Sequence, residues 1–314
     1  MAGVSIIQKA MKRKLPTATV GLAAYNEEAN IANLIRSILA QREVGFRLKQ
    51  ILINSDGSSD DTVKIIKSFK TRKVKVIDNK VRRGQPFRMR QIYKIFNSDY
   101  LIQTDADTLW GHENVIKTLV AAFESNENVA MCGGNIIPIA PKSLIQKAIY
   151  SSTNVYRKFA DDINEGNNIF TVHGLLMAFR KNYIKTMMLP DVIANDKYLY
   201  LKCVSGGYEY KFVRDAIVYF ELPLTLKDQI KQNTRFKVAK KQLFFYFDKE
   251  FLLKEYERPK TVFKLFIEEF IKHPIPVLYV FLVNRYCKIL AIFKEKKISN
   301  ILWDKLERTK VAVN

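Results

Sequence analysis

The sequence has only three cysteines, and they stand far apart in the chain of 314 residues. Cys132, Cys203 and Cys287 form no Cys-x-x-Cys pair, so the sequence indicates neither a disulfide framework nor a zinc site. A reducing, cytosolic environment fits this cysteine usage best.

A secretory signal is also missing, because residues 1–15 lack a continuous apolar core and a cleavage site. We therefore expect the protein to stay on the cytosolic side. The apolar residues of segment 1–16 stand at helical spacing beside lysines and an arginine, the pattern of a basic amphipathic helix on a membrane. We favour the interpretation as a frayed, solvated terminus, which short terminal segments commonly adopt, over this membrane helix.

Acidic residues are scarce, since 31 Asp and Glu against 52 Lys and Arg give a formal net charge of +21. This excess calls for a polyanionic partner, whether nucleic acid, anionic lipid or a phosphorylated substrate. The basic residues do not interleave with aromatic residues in a recognised nucleic-acid-binding module, so we expect no nucleic acid. A hydrophobic content of 48% is ample for a large core and excludes a disordered chain.

Residues 17–107 alternate between strand and helix patterns. This alternation predicts an α/β fold with a mostly parallel central sheet flanked by helices. No Gly-x-Gly-x-x-Gly fingerprint is present, which disfavours a dinucleotide-binding fold. The predicted strands are Thr19–Ala24, Ile51–Ile53, Val74–Ile77 and Tyr100–Ile102.

The fourth apolar run leads into Thr104–Asp107. Side chains alternate across a strand, so Asp105 and Asp107 should point the same way and lie close together. Two like charges at that separation need a cation, and oxygen ligands with open positions suit Mg²⁺ or Mn²⁺. A solvated turn is the alternative for so short a motif.

Ligands of open parallel sheets bind outside the carboxyl ends of the strands. The turns at those ends combine carboxylates, an aromatic ring and arginines, which suit a nucleotide diphosphate with a metal. Each residue taken alone also fits a helix cap or a turn. The residues are Tyr25, Glu27, Asp56, Asp105 and Asp107, with Arg82 and Arg83 beside them.

Three motifs in order resemble the family 2 glycosyltransferases, which are inverting enzymes of the GT-A fold. They are Tyr25–Glu28, the Asp-Gly-Ser-x-Asp-x-Thr run of residues 56–62, and Asp105-x-Asp107. The resemblance extends from Thr17 to about Lys241. It implies a nucleotide-diphospho-sugar donor and a divalent cation, Mn²⁺ or Mg²⁺.

The resemblance also implies roles for single residues on the donor side. Tyr25 and Glu27 are placed near the base and ribose, Asp56 on the base edge, Asp105 near the sugar-nucleotide and Asp107 on the metal. Ala23 stands where the family often has Pro. The Gly-Lys of many relatives reads Gly84-Gln85, and the positive charge is then supplied by Arg83, with Arg82 and Arg88 as further substitutes.

After the metal motif, shorter mixed elements are predicted. They are a strand at Val129–Gly134, a helix at Ser143–Phe159 and a strand at Phe170–Arg180 interrupted at His173-Gly174. The last of these resembles the family's acceptor-side segment, which places Gly174 beside the acceptor. His173 is either an acceptor contact or, as a lone His more often is, a structural side chain.

Asp196 stands at the start of a predicted helix that Gly206-Gly207 closes. Its carboxylate suits either a helix N-cap or a general base for an acceptor hydroxyl. The resemblance implies the base, because the family carries its catalytic Asp here, followed by a helix and a Gly-aromatic pair. Asn195 replaces the usual acidic neighbour, which removes a negative charge and lowers the pKa expected for the base.

Gln232 and Arg235 share one face of a helix predicted to begin near Thr225. With Phe236 they resemble the family's Gln-x-x-Arg-Trp motif. The resemblance implies that Arg235 meets the leaving diphosphate and that Gln232 and Phe236 border the acceptor end. A solvated Arg on a basic helix is the alternative.

Residues 248–314 are predicted to form an amphipathic and apolar helical tail. Lys260–Lys272 is amphipathic, and an apolar run follows at Pro274–Val283. Arg285 and Lys288 argue against a clean membrane span. We expect the tail to lie in the headgroup region of an anionic membrane, holding the protein peripherally or monotopically on the cytoplasmic face. A buried core helix is the alternative.

The sequence thus predicts a catalytic domain at residues 17–247, with a nucleotide-sugar-binding half at 17–110 and an acceptor-side half at 111–247. The expected reaction is inverting transfer of a sugar to a hydroxyl acceptor, a lipid-linked or membrane-held glycan. Two alternatives are a polyanion-binding protein and a sugar-phosphate nucleotidylyltransferase. The second lacks support, since no Gly-rich nucleotide loop followed by an Arg-Lys pair lies near the N-terminus.

Overall fold

The computed structural model describes residues 14–294. Nearly all of the predicted N-terminal segment 1–16 and the tail beyond residue 294 lie outside the described residues. The strands are β1 (Thr17–Ala24), β2 (Arg47–Asp56), β3 (Val74–Asn79), β4 (Tyr100–Thr104), β5 (Thr108–Trp110), β6 (Val129–Pro138), β7 (Leu176–Arg180) and β8 (Glu209–Phe220). The helices are α1 (Ile31–Leu39), α2 (Thr62–Ser68), α3 (Gln85–Ile95), α4 (Val115–Ser125), α5 (Leu144–Asp162), α6 (Lys181–Thr186), α7 (Asn195–Ser205), α8 (Leu226–Leu243), α9 (Lys249–Glu255), α10 (Thr261–Lys272) and α11 (Pro274–Lys294).

The eight strands form one sheet in the order β3-β2-β1-β4-β7-β6-β8-β5. The first four strands are parallel, as the strand–helix alternation predicts. β7 runs antiparallel to both of its neighbours, β6 and β8 are parallel, and β5 is antiparallel to β8. The sheet is therefore an α/β sheet with a parallel half and a mixed half.

The sheet must curl, because β4 and β5 are neighbours in the chain but lie four positions apart in the sheet. Four strand spacings in a flat sheet cover about 19 Å. The four residue steps from Thr104 to Thr108 reach about 14 Å at most. The sheet therefore bends round, and the turn that carries Asp105 and Asp107 bridges its middle and its edge.

Two apolar layers cover the two faces of the sheet, and alternate residues of the strands serve one or the other. In β7, Leu176 and Ala178 belong to the layer under α1 and α4, whereas Met177 and Phe179 belong to the layer under α3 and α7. Helix α1 buries its apolar stripe, as its spacing predicts. The predicted flanking of the sheet by helices is thus confirmed.

The predicted strand at Phe170–Arg180 is wrong over its first half. Ile169–Thr171 form a 3-10 turn, and the strand begins at Leu176. The Asn168 side chain accepts a hydrogen bond from the Phe170 N–H at 2.9 Å and so caps the turn. An apolar run of this kind reads as a strand in sequence, but a local side-chain cap diverts the backbone.

The tail helix α11 lies partly on the protein and partly in solvent. Tyr279 donates a hydrogen bond to Gln229 of α8 at 2.7 Å, and Asn233 donates to Asn284 at 3.1 Å. Val280, Val283, Cys287 and Ala291 are buried. The opposite face leaves large apolar side chains exposed, so α11 is neither a core helix nor a detached one.

Arg180 ends β7 and binds the backbone of the segment before β6. Its guanidinium donates to the carbonyls of Val129 at 2.8 Å and Asn126 at 2.9 Å, and also to that of Phe123. It lies 5.8 Å from the ring of Tyr100. The Phe-Arg ending of the acceptor-side motif therefore has a structural role here.

We predict that Arg180→Met lowers the free energy of unfolding by about 2–4 kcal/mol, because several carbonyls lose a charged donor in a half-buried site. Urea unfolding followed by circular dichroism measures the loss. The neighbouring Lys181→Met should change stability by less than about 0.5 kcal/mol, since Lys181 makes an exposed contact with Asn97. Equal losses in the two variants would contradict this account.

Candidate active site

The turn between β4 and β5 carries the two predicted metal-site aspartates, and its backbone is held by two threonines. The Thr104 hydroxyl donates to the carbonyl of Leu175 at 2.8 Å, and the Thr108 hydroxyl donates to that of Asp105 at 2.9 Å. Asp105 and Asp107 are both half-buried. The two carboxylates therefore keep a fixed position at the carboxyl end of β4.

The turn after β1 is bonded to the turn after β2. Asn26 has a φ of 53°, in the left-handed region, and its side-chain oxygen accepts from the Ser59 N–H at 2.8 Å. The Glu27 N–H donates to the Thr62 hydroxyl at 2.7 Å, and the Glu27 side chain is buried. These bonds bring two of the predicted donor motifs together.

Tyr25 and Ala23 lie where β1 ends. The Arg82 guanidinium stacks on the Tyr25 ring at 4.1 Å from the ring centroid, a cation–π contact. Ala23 is half-buried and packs against the layer under α3. The structure thus brings the predicted base and ribose residues to one side of the crevice, and their contacts with a nucleotide stay a prediction.

Asp56 accepts hydrogen bonds from three groups of its own chain. They are the N–H groups of Arg83 and Gly84, both at 2.8 Å, and the Arg88 guanidinium at 2.7 Å. Arg88 is 3% exposed, so its pairing with Asp56 is a buried ion pair. Arg88 therefore serves the loop before α3 and does not replace the family's donor-side lysine, whereas the base contact predicted for Asp56 stays a prediction.

Gln85 connects the two halves of the crevice. Its side-chain N–H donates to Asp105 at 2.6 Å, and its side-chain oxygen accepts from the Asn195 amide at 3.3 Å. A carboxylate only accepts, so Asp105 fixes the orientation of the Gln85 amide, which in turn fixes that of Asn195. Sequence analysis noted Gln85 and Asn195 only as separate departures from the family, and nothing in the sequence pairs them.

The charges of three aspartates and one arginine act on one another in the crevice. Burial, the charge of Asp107 and that of Asp196 raise the pKa of Asp105 to about 7, while the Gln85 hydrogen bond and Arg235 oppose the rise. Burial lowers the pKa of Arg235, and all three aspartates oppose that shift. The structure therefore brings Asp105, Asp107, Asp196 and Arg235 together, as predicted, from three separate parts of the chain.

Asp196 lies in the first turn of α7, but it does not cap the helix. The N-cap position belongs to Ala194, and the Asp196 carboxylate accepts from the adjacent Lys197 N–H at 2.8 Å. The N-cap interpretation of Asp196 is thus wrong, because the helix begins at Asn195, two residues earlier than a cap at Asp196 requires. Its half-buried carboxylate stands in the charged cluster instead.

Lys197 fixes the segment that leads to Gly174, a role that sequence analysis missed. Its ammonium donates to the carbonyls of Ile169, at 2.8 Å, and of Val172. Burial lowers the pKa of Lys197, and the adjacent Asp196 opposes this shift. The sequence signal for this role is a lysine next to the candidate base, but lysine is too common in this chain for its position alone to indicate a function.

His173 and Gly174 follow this segment. Burial and the charges of Lys197 and Arg157 hold the pKa of His173 well below its usual range, so the imidazole is neutral near pH 7. A Cβ built on Gly174 would lie 3.6 Å from the Asp105 carboxylate. Gly174 therefore forms a wall of the crevice beside Asp105, and an acceptor contact there stays a prediction.

The remaining predicted residues lie on α8. Helix α8 begins at Leu226, close to the predicted start near Thr225, and the Thr225 side chain caps it by accepting from the Asp228 N–H. Gln232 is half-buried, whereas Phe236 is 59% exposed. The crevice thus receives Arg235 from α8, and the acceptor-side roles of Gln232 and Phe236 stay predictions.

The sequence matches the pattern of the family described as glycosyl transferase family 2 over residues 19–188. Among curated proteins, a poly-beta-1,6-N-acetyl-D-glucosamine synthase of Staphylococcus epidermidis is 27% identical over 238 residues, 74% of this chain and 56% of its own length. A synthase of the same name from Staphylococcus aureus is 25% identical over 71% of this chain and 54% of its own length. The chain spans about half the length of these relatives.

Two solved structures share the fold at 16% identity. The mannosyltransferase PcManGT from Pyrobaculum calidifontis, in complex with GDP-Man and Mn²⁺, has a TM-score of 0.64 and covers 91% of this chain and 88% of its own. Glucosyl-3-phosphoglycerate synthase from Mycobacterium tuberculosis, in complex with Mn²⁺, UDP and phosphoglyceric acid, has a TM-score of 0.52 and covers 73% and 78%. Because the family pattern covers more than half of the residues and the sheet has the GT-A-like architecture of these transferases, the chain belongs to glycosyl transferase family 2.

Proposed function

We propose that this protein transfers a sugar from a nucleotide-diphospho-sugar to a hydroxyl acceptor with inversion at the anomeric carbon. The observation that carries the proposal is the single crevice shared by Asp105, Asp107, Asp196 and Arg235. Family membership favours transfer over the polyanion-binding and nucleotidylyltransferase alternatives. A Mn²⁺-containing complex of a structural neighbour with a nucleotide sugar supports the same donor class.

The residues present fit a divalent cation that the substrate helps to bind. Asp107 would supply an oxygen ligand with Asp105 beside it; burial first and the charge of Asp107 second raise the pKa of Asp105, and a cation would relieve the part due to that charge. Within residues 14–294, no group of three or more His, Cys, Asp and Glu side chains is placed to hold a metal. A bound Mn²⁺ or Mg²⁺ would take its remaining ligands from the donor diphosphate and stabilise that leaving group.

Asp196 and Arg235 have separate roles in the proposed reaction. Asp196 takes the proton of the acceptor hydroxyl, whose oxygen forms the new bond to the anomeric carbon. The bond from that carbon to the donor phosphate breaks on the opposite face, and the nucleoside diphosphate leaves with the electron pair. The Arg235 guanidinium stabilises the growing negative charge with its planar set of donors.

The acceptor is proposed to be lipid-linked or membrane-held, with the protein bound peripherally or monotopically at the cytoplasmic face. Residues Pro274–Phe293 of α11 are long and apolar enough to cross a membrane by length and composition, the one such helix found among the described residues. Phe281 and Leu282 are 52% and 57% exposed there, and Phe263, Phe270 and Ile271 are exposed on α10. Arg285 and Lys288 would reach lipid phosphates from the same helix.

The donor is tested by incubating the protein with a panel of nucleotide sugars and Mn²⁺ and measuring release of nucleoside diphosphate. We expect at least one donor to be hydrolysed in a metal-dependent way. Asp107→Ala should abolish this release, whereas Glu127→Gln should not, because Glu127 is an exposed carboxylate at the opposite, amino-terminal end of β6. Release by the Asp107→Ala variant at the wild-type rate would contradict the metal role.

We predict that Asp196→Asn lowers the turnover of sugar transfer by about a hundredfold or more, because general-base catalysis contributes on that scale. Calorimetric titration should show unchanged donor binding in the same variant. The matched control is Asp191→Asn, which removes an exposed carboxylate paired with Arg90 on the loop before α7. An Asp196→Asn enzyme that keeps most of its turnover would exclude this base.

Membrane binding is tested by flotation with vesicles that contain phosphatidylglycerol. We expect most of the wild-type protein to float and most of the Phe281→Glu, Leu282→Glu double variant to stay in the dense fraction, since two exposed apolar contacts become charged. Val44→Glu changes an equally exposed residue on the loop before β2 and should float like the wild type. A wild-type protein that ignores the vesicles would disprove the membrane proposal.

A further inference from the structure

Four aromatic side chains form a connected cluster between α5, the 169–171 turn and the segment after α9. Tyr156 and Phe159 lie 4.9 Å apart by ring centroids, Phe159 and Phe170 5.3 Å apart, and Phe170 and Tyr256 6.1 Å apart, all in edge-on arrangements. We call these four rings the aromatic floor; its two phenylalanines are buried, and its two tyrosines are partly open to solvent.

Two cations, Lys240 and Arg258, stack on this aromatic floor, and Lys237 lies one helical turn from Lys240 on α8; we call these three residues the cationic rim. The Lys240 ammonium lies 3.9 Å from the centre of the Tyr256 ring. The Arg258 guanidinium lies 5.6 Å from the ring of Phe159 and 5.7 Å from that of Phe170.

The cationic rim has no carboxylate partner in the part of the chain that the structure describes. Burial and the charge of Arg258 lower the pKa of both Lys237 and Lys240, and Lys288 of α11 adds to the effect on Lys237. The cations therefore lie close enough to destabilise one another. An anion bound between them would relieve this repulsion, as charge-assisted hydrogen bonds do.

The rim is also within electrostatic reach of the proposed catalytic base. The pKa of Tyr156 responds to both the rim and the base, because the charge of Arg258 lowers it and the charge of Asp196 raises it. The charge of Asp196 also raises the pKa of Tyr256, on whose ring Lys240 stacks. The same proximity follows from geometry, because Lys197, the neighbour of Asp196, donates to the carbonyls of Ile169 and Val172 on either side of Phe170 in the aromatic floor.

Three chemistries lie on neighbouring elements: the Asp196 carboxylate next to Lys197, the cationic rim on and beside α8, and the exposed apolar face of α11, which is bonded to α8 through Tyr279 and Asn284. A glycan joined through phosphate to a lipid carries the matching groups in the same order, with a hydroxyl, a phosphate and an apolar chain. We propose that Lys237, Lys240 and Arg258 bind the phosphate of such an acceptor while its hydroxyl lies at Asp196. This inference rests on the proposed glycosyl transfer.

A bilayer headgroup offers the same phosphate chemistry, but the position of the rim favours the acceptor. Lys240 stacks on Tyr256 and Arg258 on Phe159 and Phe170, rings of the cluster that Lys197 connects to Asp196, rather than on the exposed apolar side chains of α10 and α11. A cation that served only the bilayer would be placed with those side chains, as Arg285 is beside Phe281.

The test compares two synthetic probes in neutral detergent, a hexose joined to a farnesyl chain by a phosphodiester and the same hexose joined by an ether. We expect the wild-type full-length protein to bind the phosphodiester about tenfold more tightly, the scale of one charge-assisted hydrogen bond. The double variant Lys240→Met, Arg258→Met should lose this preference. Lys240→Arg with Arg258→Lys should keep it, because both charges remain and a fold defect is thereby controlled.

Matched controls use Lys249→Met with Lys254→Met, which removes two lysines of α9 and should leave the preference intact. Equal binding of the two probes by the wild type, or a preference that survives in the methionine double variant, overturns the inference. If the double variant instead loses flotation on phosphatidylglycerol vesicles and the wild type shows no phosphodiester preference, the rim binds bilayer headgroups, which also overturns it.

Wild-type hydrolysis of nucleotide sugars with Mn²⁺, measured in parallel, separates this inference from the proposed function. Hydrolysis without a phosphodiester preference would reject only the acceptor site. An absence of both donor hydrolysis and donor binding would reject the transferase proposal, and the acceptor inference with it.

Discussion

Asp105, Asp107 and Asp196 repel one another in one crevice, and the surrounding residues offset this repulsion. The effect of the repulsion is clearest for Asp105, because burial and the two neighbouring aspartates raise the pKa of this residue to about 7. Arg235 offsets part of the repulsion from α8, and the Gln85 amide donates to Asp105 from α3. A divalent cation bound there would offset this repulsion and keep positions open for the diphosphate of a donor.

The curl of the sheet makes this arrangement possible. Asp105 and Asp107 lie on the short turn from the middle strand β4 to the edge strand β5, whereas Asp196 lies in the first turn of α7. The antiparallel strand β7 joins the parallel half to the mixed half. The Gln85–Asn195 hydrogen bond then crosses between the halves, so the donor-side carboxylate and the residue next to Asp196 are positioned by the same amide.

The elements whose signals are local could be predicted from the sequence. Strands β1 to β4 are marked by apolar runs, α1 by helical spacing, and the C-terminal end of α7 by Gly206-Gly207. The pairing of the later strands was harder to predict. Strand β8 is absent from the sequence prediction, and the order of β6, β7 and β8 depends on pairings between distant segments that no local pattern encodes.

The candidate site shows the same division between local and long-range information. Motif order pointed to Asp105, Asp107, Asp196 and Arg235, and the structure brings them together. The buried pairing of Arg88 with Asp56, the clamp of Lys197 on the 169–172 backbone and the cationic rim were not predictable. Each depends on a contact between side chains that are far apart in sequence, in a chain where lysine and arginine are abundant.

The most direct test of the central claim is anomalous diffraction at the manganese edge, on crystals grown with Mn²⁺ and the nucleoside diphosphate of the hydrolysed donor. The account predicts an anomalous peak in contact with the Asp107 carboxylate and with phosphate oxygens of the nucleotide, with Arg235 directed at the same diphosphate. A nucleotide bound in the crevice with no cation touching Asp107, or a cation bound away from the β4–β5 turn, would contradict it.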